Sequence, residues 1–276
     1  MKRIVSIQDI SALGKCSLTV ALPIISAMGV ECAVLPTAIL SVHTQFPSFT
    51  FHDLTDEMEP IADNWKQNNI TFDACCSGYL GSFRQIDIVS KFFKDFGSEG
   101  LVIVDPAMAD NGVLYKGFDT DFAKKMATLC DGADLVLPNI TEACYMLAMP
   151  DKESYAEAYI REMLEKLAEL GAKNAAITGV SFEEGKLGVM SYERESGKFA
   201  SYFTDRQPKN FHGTGDIYTA AATGAVVSGM SIPDALKLAC DYTAECIRLT
   251  LLEENHSFYG VNFEQATLYL LKLMGK

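Results

Sequence analysis

The feature that most narrows the possible folds is a rhythm of short apolar runs. They recur at "RIVSI" (3–7), "CAVLPTAIL" (32–40), "FDACCSG" (72–78), "LVIVDP" (101–106), "DLVLPN" (134–139) and "NAAITG" (174–179), the last four closing on polar residues or glycine. Helical stretches lie between them. "CSLTVALPIISAMG" (16–29) has Gly29 as its stop, and in "YAEAYIREMLEKLAELG" the residues Ile160, Met163, Leu164 and Leu167 form one face before Gly171. Strands that are apolar throughout, alternating with amphipathic helices, predict an α/β fold with a mostly parallel sheet covered on both faces. After Gly179 the pattern changes. "KLGVMSYE" and "KFASYF", joined through "RESG", read as an antiparallel edge pair, and a helical C-terminal third follows in which Ser231 caps a helix with Pro233 in its first turn.

No linker, repeat or low-complexity segment interrupts the 276 residues, so one domain spanning 1–276 is expected. With 49% apolar and 21% charged residues the chain can bury a large core. No apolar run approaches the roughly 18 residues that cross a bilayer, and "MKRIVSIQDI" enters a strand without the apolar core of a signal peptide. A net charge of −13 argues against nucleic-acid partners, which demand a basic footprint, while leaving room for a small anion held by local donors. Eight cysteines without a CxxC spacing, Cys75 and Cys76 adjacent, fit core thiols in a reducing cytoplasm rather than a disulfide framework.

In open parallel sheets ligands bind beyond the carboxyl ends of the strands, which singles out Asp105, Asn139, Thr178 and the turn Ser77-Gly78-Tyr79. Two nucleotide motifs fail. "LGKCS" (13–17) has Cys16 where a phosphate-binding P-loop needs a hydroxyl and Asp9 where it needs glycine, and the glycines at 213 and 215 are followed by Tyr218 where a dinucleotide fingerprint needs a third. "FHGTGD" makes sense otherwise. Gly213, Thr214 and Gly215 let the backbone turn its N–H groups toward one point at a helix N-terminus, an anion hole. Asp216 would repel a phosphate there, yet as a general base it could take a proton from a hydroxyl while the hole holds charge on a transferring phosphoryl group. The alternative is a helix cap. Asn139 and Glu142, three apart in "PNITEA", could hold magnesium through its waters or simply form a capping box. Asp105 is a further oxygen ligand or a strand-end turn before Pro106.

Read together, "GTGD", "NITE" and the strand order resemble the ribokinase superfamily. "IVSIQD", "SVHTQF" (41–46), "CSGYLGS" (76–82) and "VDPAM" (104–108) narrow the resemblance to pyridoxal kinases across most of the chain. The resemblance implies a three-layer α/β/α ribokinase-like sandwich, ATP with Mg2+ and often a monovalent cation such as K+, a homodimer, and phosphorylation of the 5′-hydroxyl of a B6 vitamer. It implies Asp216 as base over the Gly213–Gly215 hole. Asp105, Asn139, Glu142 and Thr178 fall on the Mg–ATP side, with Asp105 and Glu142 toward the metal. Asp9, His43, Thr44 and Tyr79 fall around the vitamer, and Tyr115 in a covering flap. Taken without the family, His43, Tyr79 and Tyr115 read as ordinary structural residues. Pyridoxal kinases usually carry serine at the position of Asp9; the carboxylate here either pairs with the 4′-ammonium of pyridoxamine or is a loop acid or turn cap. Hydroxymethylpyrimidine kinases share the fold and the GTGD chemistry but usually carry a glycine-rich segment after the first strand, where "IQDISALGKC" has only Gly14. A nucleotide-binding regulator without catalysis is the rival from another class.

Overall fold

The computed structural model describes all 276 residues. In chain order the strands are β1 (Arg3–Ser11), β2 (Glu31–Leu40), β3 (Phe51–Asp53), β4 (Ala74–Ser77), β5 (Leu101–Val104), β6 (Ala109–Asp110), β7 (Val113–Leu114), β8 (Leu135–Val136), β9 (Asn174–Val180), β10 (Lys186–Glu193) and β11 (Lys198–Asp205). The helices are α1 (Leu18–Ala27), α2 (Thr55–Gln67), α3 (Phe83–Phe96), α4 (Thr120–Ala127), α5 (Ile140–Leu147), α6 (Glu157–Glu169), α7 (Thr214–Val227), α8 (Ile232–Leu251) and α9 (Thr267–Leu273).

Nine strands form one sheet in the order β11-β10-β9-β8-β5-β4-β1-β2-β3. The pairs from β9 through β2 are parallel, and β10–β11 is the expected antiparallel edge pair. Central β1 sets the register: Ile4 to Ile7 pair with Cys32 to Leu35 of β2 on one side and with Ala74 to Ser77 of β4 on the other. From β1 the chain moves outward to β2, then returns past β1 to β4, β5 and β8. Its direction of winding therefore reverses between β1 and β4, the topological switch point where such sheets bind ligands. Two features have no counterpart in the sequence pattern. Antiparallel β3 caps the opposite edge, and β6–β7 form a separate two-stranded hairpin beyond the end of β5.

Strand side chains alternate between the two faces, and each face carries its own core. Val5, Ile7, Cys75 and Val104 pack under α2–α6, whereas Ile4, Cys76 and Ile103 pack under α1 and α7–α9. The result is the three-layer α/β/α sandwich. Helix α7 is buried all round from Ile217 to Ala225, which its small residues permit. A Cβ on Gly224 would come within 2.5 Å of Met28 Sδ just past α1, so a larger residue there would push that buried thioether aside. At the other ends of the two helices Gly213 packs against the Lys15 backbone, which brings their N-termini together at the switch point.

Candidate active site

Asp9 lies on β1 where the pairing with β2 slips between Gln8 and Ile10, and it is buried. It is therefore not an exposed loop acid. Ser17 Oγ donates to it at 2.6 Å and Ser11 Oγ at 3.3 Å; burial pushes the carboxyl pKa up and the two hydroxyls pull it back. Ser17 occupies φ 50°, ψ −136°, a region that costs a non-glycine residue about 1–3 kcal/mol. Its hydroxyl bonds Asp9 rather than capping α1, while its backbone N–H lies near enough to the Asp216 carboxylate to pull its pKa down. One strained serine thus stands beside both acids.

Gly213 caps α7 at φ 78°, and a Cβ there would stand 1.9 Å from the Lys15 carbonyl oxygen, so only glycine fits. Gly215 differs. It is exposed, and a Cβ on it would meet no protein atom within 4 Å, so packing does not require glycine there and the backbone of the first turn stays open to approach. Thr214 Oγ1 is used locally, donating to the Phe211 carbonyl at 3.0 Å. The half-buried Asp216 carboxyl is pushed up to about 7 by burial and then by the charge of Asp105, against the pull of the Ser17 N–H. One turn on, Thr219 Oγ1 donates to Asp105 at 2.6 Å. Asp105, just past β5, also accepts the Ala107 N–H at 3.2 Å, and burial raises it to about 6. Asp105 and Asp216 line a cavity of about 10 Å³ with Ser6, Gln8 and Ser77, whose buried hydroxyl has no protein partner.

Asn139 and Glu142 form a true capping box on α5, and they do more. Glu142 accepts the N–H groups of Asn139 at 2.8 Å and of Met108 at 3.1 Å, while Asn139 Nδ2 donates to the Ala109 carbonyl at 2.8 Å. The box therefore ties the β6–β7 hairpin to α5. Burial and Asp105 raise Glu142 to about 8. Thr178 bridges to Asn139 at the end of β9, its N–H bonded to the Pro138 carbonyl at 3.0 Å. Tyr115 closes the hairpin through its N–H to the Met108 carbonyl at 2.8 Å, and its phenol is raised by burial and by nearby Glu142 and Asp216.

Of the residues expected around the ring, Tyr79 stands near Asp9: burial and then that carboxylate raise its phenol. His43 is buried against His212, and Tyr79 stacks on Phe118 at 5.7 Å; Thr44 is exposed on the loop beside His43. Sequence reasoning missed Ser17, Thr219 and His212. The i+3 spacing from Asp216 could have found Thr219, whereas the other two act through contacts that no local pattern encodes. Lys15, of the rejected P-loop, is turned away to Asn262 at 3.0 Å and Glu264 at 2.9 Å.

Asp105, Asp216 and Glu142 are raised without any lysine or arginine beside them to compensate. No group of three or more His, Cys, Asp or Glu side chains forms a ready-made metal cage. Mg2+ does not need one: it uses one or two carboxylates and completes its shell with water and phosphate oxygens. The uncompensated carboxylates fit such an ion.

The phosphomethylpyrimidine kinase family model matches residues 22–262, a span that contains β2 to α8 and every one of the residues from His43 to Asp216. The chain belongs to this family. A Bacteroides thetaiotaomicron structure provisionally described as a phosphomethylpyrimidine kinase is 40% identical over 98% of this chain and 93% of that one, with TM-score 0.94; a second form, at TM-score 0.92 and covering 98% and 95%, holds pyridoxal. Pyridoxal kinase from Lactobacillus plantarum is 28% identical over 99% of this chain and 98% of its own, with TM-score 0.92. The chain also matches the thiamine biosynthesis bifunctional protein ThiED of Geobacter sulfurreducens at 27% identity over 76% of its length, but spans only 40% of that protein. The chain thus has the pyridoxal kinase fold, and the ribokinase-type resemblance carried by its motifs is borne out. No helix in it is long and apolar enough to cross a membrane.

Proposed function

We propose that this kinase transfers the γ-phosphoryl group of ATP to the 5′-hydroxyl of a B6 vitamer (pyridoxal, pyridoxine or pyridoxamine). The observation that carries the reading is the Asp216 carboxyl, raised to about 7 at the mouth of α7 beside the open backbone of Gly215. A base with a pKa near ambient pH, set against unsatisfied first-turn N–H groups, suits proton removal from an alcohol with charge stabilisation alongside. Asp216 takes the hydroxyl proton as the alcohol oxygen bonds to the γ-phosphorus; the bond from that phosphorus to the β–γ bridging oxygen breaks, and ADP leaves. Phosphoryl transfer asks chiefly for positioning and electrostatics of this kind.

The remaining residues divide by the roles this reading gives them. Asp9, His43, Thr44 and Tyr79 hold the ring, Asp9 being suited to the 4′-ammonium of pyridoxamine. Asn139, Thr178 and Tyr115 face the nucleotide. Asp105 and Glu142 would hold Mg2+, Glu142 through water because its oxygens already serve backbone N–H groups. The ion neutralises phosphate charge when bound, so an acidic protein can accept a polyanion. The pyridoxal bound in the 40%-identical relative supports the vitamer as acceptor. A cytoplasmic homodimer and a K+ requirement belong to the same proposal; eight unpaired cysteines support the compartment, and sedimentation and K+ titration address the other two.

A second reading, phosphorylation of hydroxymethylpyrimidine, is favoured by the description of the matching family and by the ThiED likeness. A coupled ATP assay across pyridoxal, pyridoxine, pyridoxamine and hydroxymethylpyrimidine decides between them. Turnover of the pyrimidine with no turnover of any vitamer overturns the first reading. A melting shift with ATP and turnover of neither substrate class overturns both in favour of a regulator.

A further inference from the structure

The chain has four histidines, and two of them touch across 169 residues of sequence. His43 Nε2 and His212 Nδ1 lie 3.1 Å apart, with the rings edge to face and their centroids 4.0 Å apart. His43 belongs to the loop after β2, whereas His212 immediately precedes the Gly213 cap of α7. A third contact fixes the protons. The Gln45 backbone N–H donates to His43 Nδ1 at 3.1 Å, so that nitrogen is bare. A neutral imidazole has a single N–H, which in His43 must then sit on Nε2 and point at His212 Nδ1. His212 Nδ1 is therefore an acceptor, and its own proton sits on Nε2. Burial lowers both imidazoles, His43 to about 4, which keeps the pair neutral.

We propose that His212 is a positioning residue for the acceptor substrate: its Nδ1 clamps the His43 loop onto the loop that carries Gly213–Asp216. The clamp sets the distance between the side chains that hold the ring and the group that takes the proton. The outer ends of the two loops have a separate brace, because Phe46 packs on Phe258 at 4.8 Å and Phe211 on His256 at 5.4 Å. Removing the histidine contact should thus loosen the inner ends without unfolding either loop. The inference rests on the proposed reading that the His43 loop lines the acceptor pocket.

Two measurements test it separately. In the unliganded protein, 15N spectra of the imidazoles should show His43 protonated at Nε2 with Nδ1 bare; in His212→Phe the His43 Nε2–H should shift and exchange faster with water. In steady-state kinetics, His212→Phe should raise the vitamer KM about tenfold, the scale of one lost buried hydrogen bond, and leave the ATP KM within about twofold. His212→Asn, whose Oδ1 can replace Nδ1 as acceptor, should recover most of the vitamer KM. A His43 protonated at Nδ1, an unchanged vitamer KM in the Phe variant, or an Asn variant no better than Phe overturns the clamp. If the wild-type protein phosphorylates no vitamer, the functional reading fails on its own, and the spectra still decide whether the clamp exists.

Discussion

Replacing Asp216 with asparagine should make the protein more stable and nearly inactive at once. The carboxyl rises from 3.8 to about 7 in the fold, roughly 3 units at about 1.4 kcal/mol each, which limits the cost of its charge at pH 8 to about 4 kcal/mol. The side chain is half-buried rather than sealed, so water screens part of this, and roughly 1–3 kcal/mol should be recovered by the uncharged amide. For a domain of this size that is a rise in Tm of about 2–4 °C per kcal/mol. The pH dependence has a definite sign. A raised carboxyl pKa means the folded state holds its proton more tightly than the unfolded chain, so wild-type stability rises as pH falls from about 7 toward 4. The advantage of Asp216→Asn should shrink over the same window. Meanwhile kcat should drop about 10²–10⁴-fold, the scale of a lost general base. Thermal melts of the ligand-free proteins at pH 8 and pH 5, with a coupled ATP assay at pH 8, read both effects. An asparagine variant that turns over at the wild-type rate refutes the base, and one that melts lower at pH 8 refutes the electrostatic account of the site.

Other expectations follow from the same geometry. Gly213→Ala should lose stability and activity together, because its Cβ would meet the Lys15 carbonyl at 1.9 Å, whereas Gly215→Ala should melt normally and lose activity alone; a fully active Gly215→Ala enzyme means no ligand approaches that backbone. Asp9→Ser should lower the pyridoxamine-to-pyridoxal ratio of kcat/KM, and an unchanged ratio rejects a charge pairing with the amine. Below about pH 7 the wild-type kcat/KM should fall up to tenfold per pH unit as Asp216 gains its proton, and a flat profile down to pH 5 contradicts its role. Mg2+ should raise the Tm of the ligand-free protein more at pH 8 than at pH 5, since Asp105 and Glu142, raised to about 6 and about 8, lose their charge as pH falls; equal shifts at both pH values count against a metal at these carboxylates.

The amino-acid sequence by itself determined the layered parallel sheet, the antiparallel edge pair and the strand ends where Asp105, Asn139 and Thr178 stand, because these follow from short-range periodicity and from where apolar runs stop. It also exposed the glycine loop, since a carboxylate after two glycines at a helix mouth is a local anomaly. Only the tertiary structure decided what each acid touches. The capping box of Asn139 and Glu142 was legible three residues apart, but its grip on the β6–β7 hairpin depends on Met108 and Ala109 arriving from another element. The two-residue strands of that hairpin lie in no apolar run, unlike β8 within "DLVLPN", and so carry too little pattern to be read in advance. Ser17 is strained between Asp9 and Asp216 because the α1 and α7 N-termini converge, and His43 finds His212 because two loops close over the switch point. A side chain's partner across a hundred residues is set by how helices and strands pack, and packing is a property of the whole chain rather than of any stretch of it.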